Sequence, residues 1–305
     1  MISLLLLLGA VAILGAVLGS FAGAQVWRLR ARQLAQDKAD GEDYDKAEYR
    51  RLSGLRGQKA SEDRSRCLSC GHTLAWYDLV PLGSWLSTKG KCRYCHKPIG
   101  RFELLMELGT AGLFVLFTFI WTGLYGIDGA SLGVLGLWLA ALTMFVILFA
   151  YDLKWFLLPD VVMFPLIGLS VVISALTAGL LREGQPDETL LSIVASIGIL
   201  SGLYFVLWLV SKGLWVGFGD VKLGIALGVL LIDWKLAILA LFLANLIGTL
   251  IVLPGLLTGK LSRKTQVPFG PLLIAGFFIA FLAGASILQG YESFTAWLSM
   301  TMLML

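Results

Sequence analysis

The chain has 305 residues, 58% of them hydrophobic and only 14% charged, with a formal net charge of +4 and a mean hydropathy of +0.83. A water-soluble domain carries about 25% charged residues, so that class is excluded. Apolar stretches of about 20 residues recur, which predicts an all-α polytopic membrane protein with about eight transmembrane helices in a lipid bilayer, and no nucleic-acid partner.

Residues 2–27 form the first expected span. The stretch lacks the basic start of a secretory leader, and its Arg-rich flank follows it. Residues 28–102 make one large polar block with sixteen Lys or Arg against nine Asp or Glu. That basic excess assigns the block to the cytoplasm and leaves the N-terminus outside. Residues 28–65 carry mixed charge without a sustained apolar period, so a short helix over 44–55 is expected in an otherwise flexible segment. Residues 66–101 hold all four cysteines and read as a small cytoplasmic domain between the first and second spans.

Cys67-x-x-Cys70 and Cys92-x-x-Cys95 have the spacing of two zinc knuckles, which together supply four thiolates to a tetrahedral ion. A domain this small buries too little apolar surface to fold unaided, so a metal staple has a purpose. The cytoplasmic placement disfavours disulfides, and no βαβ pattern supports thioredoxin-like chemistry. Cys92-Arg93-Tyr94-Cys95-His96 also matches the haem-attachment pattern CxxCH. Such attachment belongs outside the cytoplasm, and the sister pair is followed by Gly71-His72 instead. One structural zinc on Cys67, Cys70, Cys92 and Cys95 is expected, with the histidines outside the ligand set.

The remaining expected spans are 103–125, 130–151, 161–181, 189–212, 221–232, 235–257 and 268–288. They form a membrane body over 103–288, followed by an interfacial tail over 289–305. The span at 221–232 is short for a crossing helix. This alternation puts 22 of the 24 basic residues on the cytoplasmic side. Lys154, Lys212, Lys222, Lys260, Arg263 and Lys264 join the polar block there, and only Arg182 and Lys235 fall outside.

Two acids stand at span boundaries. Asp152 ends a span running inward, and Asp220 begins one running outward directly after Gly217-Phe218-Gly219. A carboxylate in a bilayer costs roughly 2.5–3.5 kcal/mol at a helix centre, so each needs a function or a partner. Asp is also a common helix N-cap, but placement on one face favours a catalytic pair. Gly217 and Gly219 allow close backbone approach to an extended substrate and positive φ. Lys222 either snorkels to the headgroups or tunes Asp220. Asp160, after Pro159, reads as an N-cap. Pro268, Phe269, Gly270 and Pro271 form either a helix entry or a fixed wall beside the acids. Competing classes are a zinc-dependent redox or scaffold protein and an ion-coupled transporter using Asp152 and Asp220, although transporters show inverted repeats and midplane charges.

Several motifs recur in one order: Gly19-Ser20-Phe21, Arg28-Leu29, Trp76-Tyr77-Asp78-Leu79-Val80-Pro81, Lys89-Gly90-Lys91-Cys92, Leu158-Pro159-Asp160, Gly217-Phe218-Gly219-Asp220 and Pro268-Phe269-Gly270-Pro271. In these the chain resembles the type IV prepilin peptidases, aspartyl proteases of the GxGD class in the bacterial inner membrane. It departs at Ala22-Gly23, where the family has Asn-Val, and at Arg30 and Glu103, where the family has proline; Glu107 matches the family glutamate. The resemblance implies Asp152 and Asp220 as the catalytic pair. It also implies a prepilin or pseudopilin substrate of a type IV pilus or type II secretion system, cut after glycine at the cytoplasmic face. N-methylation of the new terminus with S-adenosylmethionine follows in many members, and Gly90 lies in the segment associated with it. A GxGD protease of other membrane substrates is the nearer alternative.

Overall fold

The structure, a computed structural model, describes residues 2–55, 64–181, 186–262 and 266–303. Among them there is no strand, only two isolated β-bridges, and seven helices are long and apolar enough to cross a membrane. Arg182, Arg263 and Lys264, three of the charges behind the expected topology, lie outside the described residues. The chain divides into two compact units.

The first unit comprises Met1–Ile127 and Leu142–Ile147. It contains α1 (Ile2–Asp40), α2 (Lys46–Arg51), α3 (Gly83–Ser87) and α4 (Phe102–Tyr125). Helix α1 continues well beyond the expected end at 27. Its extension is rich in Ala, Arg, Gln and Leu, all good helix formers. Ala31 and Leu34 bury against Leu52, with Tyr44 and Tyr49 packed around them. Arg30 adds an ion pair to Glu48 at 2.8 Å. Much of the segment expected to be flexible is therefore ordered by its own small core. Helix α2 is shorter than the expected 44–55. Asp45 caps it by accepting from the amides of Ala47 and Glu48, and a 3-10 turn follows at Ser53–Leu55. Small residues let α1 and α4 touch backbone to backbone. A Cβ on Gly19 would lie 2.5 Å from the Met106 carbonyl oxygen, and one on Gly15 would lie 2.7 Å from the Ala111 Cα.

The second unit comprises Asp128–Ala141 and Leu148–Leu305. Its helices are α5 (Gly129–Trp155), α6 (Asp160–Leu176, running into a π-helical turn at Thr177–Leu181), α7 (Pro186–Leu200), α8 (Gly202–Ser211), α9 (Phe218–Leu231), α10 (Trp234–Leu257) and α11 (Phe269–Leu303). Seven of the expected spans coincide with membrane-length helices, with α7 and α8 together making one of them. The eighth, at 221–232, does not. Helix α9 has only 14 residues, about 21 Å of rise against a hydrocarbon core of about 30 Å. Beyond Lys222 it is apolar on every face, and it packs against α6, α7, α8, α10 and α11, which makes it the buried centre of the unit. The tail is not a separate element either, because α11 continues without a break to Leu303.

Close approach explains how α9 fits. A Cβ on Gly224 would lie 2.5 Å from the Leu200 carbonyl oxygen, and one on Gly228 would lie 2.8 Å from the Ile197 Cα. The Ser201 hydroxyl donates to the Val221 carbonyl at 2.9 Å across the same contact. Gly224→Val is expected to destabilise the unit by about 3 kcal/mol or more, because the obstacle is backbone and cannot rotate away. Unfolding of the variant in mixed detergent micelles measures this; wild-type stability would contradict the packing.

Candidate active site and metal centre

Asp152 lies near the C-terminal end of α5, where the helix dipole disfavours a negative charge. It is nonetheless 5% exposed. The compensation comes from α11, whose first turn supplies the Gly270 amide, donating to Asp152 Oδ2 at 3.0 Å. A helix N-terminus leaves such donors unpaired and suits an anion. The stretch Pro268-Phe269-Gly270-Pro271 thus starts α11, and its Gly270 amide contacts the acid. Pro268 precedes the helix, and the Phe269 ring lies tilted at 52° against Tyr204 with centroids 4.9 Å apart.

Asp220, 8% exposed, sits in the first turn of α9 after the N-cap Gly217. Its carboxylate accepts from the Gly217 amide and is within electrostatic reach of Asp152. The capping geometry is therefore real, as half of a capping box, and coexists with the approach of a second acid. Gly217 is extended at φ −74° and neither glycine has positive φ. The expected left-handed conformation is absent; what Gly219 provides is space. Its Cβ would lie 3.0 Å from the Leu158 Cβ, and a Cβ on Gly270 would lie 3.3 Å from Leu158 Cδ2 and 2.9 Å from Asp152 Oδ2. Leu158 thus packs against the backbone beside both acids.

Lys222 does not serve Asp220. It pairs with Asp160 and lies over the rings of Phe164 and Phe218, 5.4 and 5.6 Å from their centroids. Asp160 in turn makes no capping bond, since Pro159 is the N-cap of α6. Lys154 lies over the Trp155 ring at 5.5 Å.

Sequence reading had not singled out Leu158, Tyr204 or Asn245. Tyr204 is buried, within electrostatic reach of Asp220, and receives a bond from Asn245 Nδ2 at 3.4 Å. The signal available was a pair of polar side chains inside apolar helices. Leu158 carried none, being one apolar residue among many.

In the first unit the cysteines fold as two matching knuckles. The Cys67 amide donates to the His72 carbonyl and the Cys92 amide to the Lys97 carbonyl, at 3.0 and 2.9 Å. Gly71 and His96 occupy equivalent left-handed positions, φ 73° and 55°. The Sγ atoms of Cys67, Cys70, Cys92 and Cys95 lie within 4.8 Å of one another, and those of Cys67 and Cys95 are 4.0 Å apart. Tetrahedral zinc with bonds of about 2.3 Å needs sulfurs roughly 3.8 Å apart, so the cluster fits one such ion. The histidines are not part of it. Gly90 has φ 70°, and its Cβ would meet the Trp85 ring at 2.8 Å.

Residues 13–121 match the bacterial peptidase A24 N-terminal domain, and residues 139–253 match the type IV leader peptidase family. Similar curated proteins are called prepilin leader peptidase/N-methyltransferase. That of Burkholderia pseudomallei is 33% identical over 221 residues, 70% of this chain and 65% of the relative. That of Aeromonas salmonicida is 32% identical over 230 residues, 75% of each chain. That of Pseudomonas aeruginosa is 30% identical over 294 residues, 92% of each. The chain therefore spans somewhat less than two thirds of the Burkholderia relative's length and most of the others'. No solved structure matches it significantly. With these relatives and matches, and with both acids buried in one unit and the knuckles intact in the other, the chain belongs to the type IV leader peptidase family.

Proposed function

We propose that the chain is an aspartyl endopeptidase that removes the basic leader of type IV prepilins or pseudopilins, and that it then N-methylates the new terminus. The observation that carries the peptidase reading is the convergence of Asp152 and Asp220, two buried carboxylates within each other's field. Like charges so placed share a proton. One carboxylate takes a proton from water as it attacks the scissile carbonyl, while the other, protonated, donates a hydrogen bond to the carbonyl oxygen. The roles then exchange as the departing amine is protonated. Gly270 holds Asp152 in place for this, and Gly217 and Gly219 keep the approach to Asp220 low. Lys222 acts at a distance, tying the start of α9 to Asp160 on α6.

The names of the relatives support prepilins as substrates and methylation as the second step. Positive charge supports a cytoplasmic location for the 28–102 block and, independently, for the Lys154 and Lys222 ends of α5 and α9, in a bacterial inner membrane with the N-terminus outside. The four thiolates would hold one structural zinc, which would cross-link the two knuckles. Co-expression with a prepilin in cells lacking their own leader peptidase tests the reading: the pilin is expected to shorten at its leader, and an uncut pilin beside well-inserted protein would contradict it. In the same assay Gly270→Ala is expected to lower the cleavage rate by about 10²-fold, since its methyl group displaces the Asp152 carboxylate. An unchanged rate would remove Gly270 from the site.

A further inference from the structure

Within residues 76–86 of the cysteine domain, Trp76, Tyr77, Leu79, Val80 and Leu86 are all exposed, Trp76 at 79% and Leu86 at 65%. Single exposed apolar side chains are ordinary, but five in eleven residues form a patch that calls for a partner. The patch is held in shape. Trp76–Asp78 is a 3-10 turn, and α3 follows at Gly83–Ser87. Asp78 ties the turn down by accepting from the Ala75 amide, Arg93 and the Tyr94 hydroxyl. Basic residues come next in the chain. Lys89, Lys91, Arg93, Lys97 and Arg101 are exposed, against Asp78 as the one acid between 76 and 101.

Two helices of the same unit fix the depth of this patch. The Glu107 carboxylate on α4 accepts from the Leu82 amide at 2.7 Å. Glu107 lies beside Gly19 of α1, where a Cβ would be 2.8 Å from the Glu107 Cα. On α1 the uncharged stretch continues past Gly19 to Trp27, a further rise of about 12 Å. Helix α4 has 24 residues, about 36 Å of rise against a hydrocarbon core of about 30 Å. Glu107 stands about 7.5 Å in from its start at Phe102, so a centred core takes in the Glu107 backbone and leaves the carboxylate near the boundary. Leu82 is therefore pinned at the edge of the headgroup layer. Val80 and Leu86 flank it, and Trp and Tyr favour that layer.

We propose that residues 76–86 dip into the bilayer surface and anchor the cysteine domain on it. Trp76, Val80 and Leu86 meet the upper acyl chains, and Lys89, Lys91 and Lys97 meet anionic lipid phosphates. Charge selects this occupant. A second copy of the same basic face, or the basic leader of the proposed substrate, would be repelled, whereas an anionic lipid surface attracts it. The inference needs only the membrane-spanning helices and stands apart from the peptidase and methylation readings.

The test is photo-cross-linking of the full chain in vesicles of phosphatidylethanolamine and phosphatidylglycerol. The probes are Val80→p-benzoylphenylalanine and Leu86→p-benzoylphenylalanine. Ala39→p-benzoylphenylalanine is the control, because α1 carries Ala39 about 30 Å beyond Gly19 and clear of the headgroups. Mass spectrometry should find phospholipid adducts at 80 and 86, and about tenfold fewer at 39. Trp76→Phe gives a second reading without a bulky probe. The emission that it removes from wild type should be quenched by lipids brominated high on the acyl chain and spared by aqueous iodide. Lipid adducts at 80 and 86 no more frequent than at 39 would overturn the proposal. So would cross-links there to a second copy or to an added prepilin in place of lipid, or Trp76 emission quenched by iodide and not by the brominated lipid.

Discussion

Asp152→Asn and Asp220→Asn are each expected to reduce prepilin cleavage by ~10³-fold or more while the protein still inserts and folds. An amide matches a carboxyl in shape and can still accept from the Gly270 or Gly217 amide, but it can neither give nor take the shared proton. The two effects should not multiply, because the acids act as one unit and removing either stops the same step. The double variant should therefore be about as inactive as each single one. Rates of leader removal by purified variants, compared at equal folded protein, provide the check. Substantial cleavage by either single variant would mean that the buried pair is structural.

The second large effect concerns the knuckles. Cys67→Ser with Cys92→Ser takes one thiolate from each, and two remaining sulfurs do not close a tetrahedral site. The cysteine domain has no large core of its own, so its folding free energy is in good part metal-binding free energy. The double variant is expected to lose its zinc, measured by elemental analysis, and to become sensitive to protease within 66–101. The membrane helices satisfy their own backbone hydrogen bonds and should persist. Methylation of the processed pilin should then fall much further than cleavage. If both activities vanish together while the membrane helices stay folded, the cysteine domain also presents the substrate to the acids, and the division of labour is wrong.

Much of this was legible because it rests on strong local signals. Twenty apolar residues in a row cannot be mistaken, and paired CxxC spacing names its own ligand geometry. The two acids stood out because charge is expensive among apolar helices. What stayed hidden depended on tertiary partners. Nothing local says that α1 runs on to Asp40; Leu52 decides that, by covering Ala31 and Leu34. Nothing local pairs Lys222 with Asp160 rather than with Asp220, two residues away. Gly219 was marked for substrate approach and positive φ; its φ is not positive, and nothing local says that a Cβ there would meet Leu158. Helix α9 has the composition of a span and the length of a core helix, and only its neighbours on five sides show which it is.

The most direct test is incubation of the purified full chain in detergent with a prepilin, with and without S-adenosylmethionine, followed by mass spectrometry of the pilin N-terminus. Without the methyl donor, the product should have lost its leader at a glycine and carry a free amine. With it, the same product should gain one methyl group. Asp220→Asn should yield neither product. An intact prepilin after incubation with folded, zinc-loaded protein, or a cut that persists in Asp220→Asn, would contradict the assignment of Asp152 and Asp220 as the peptidase centre.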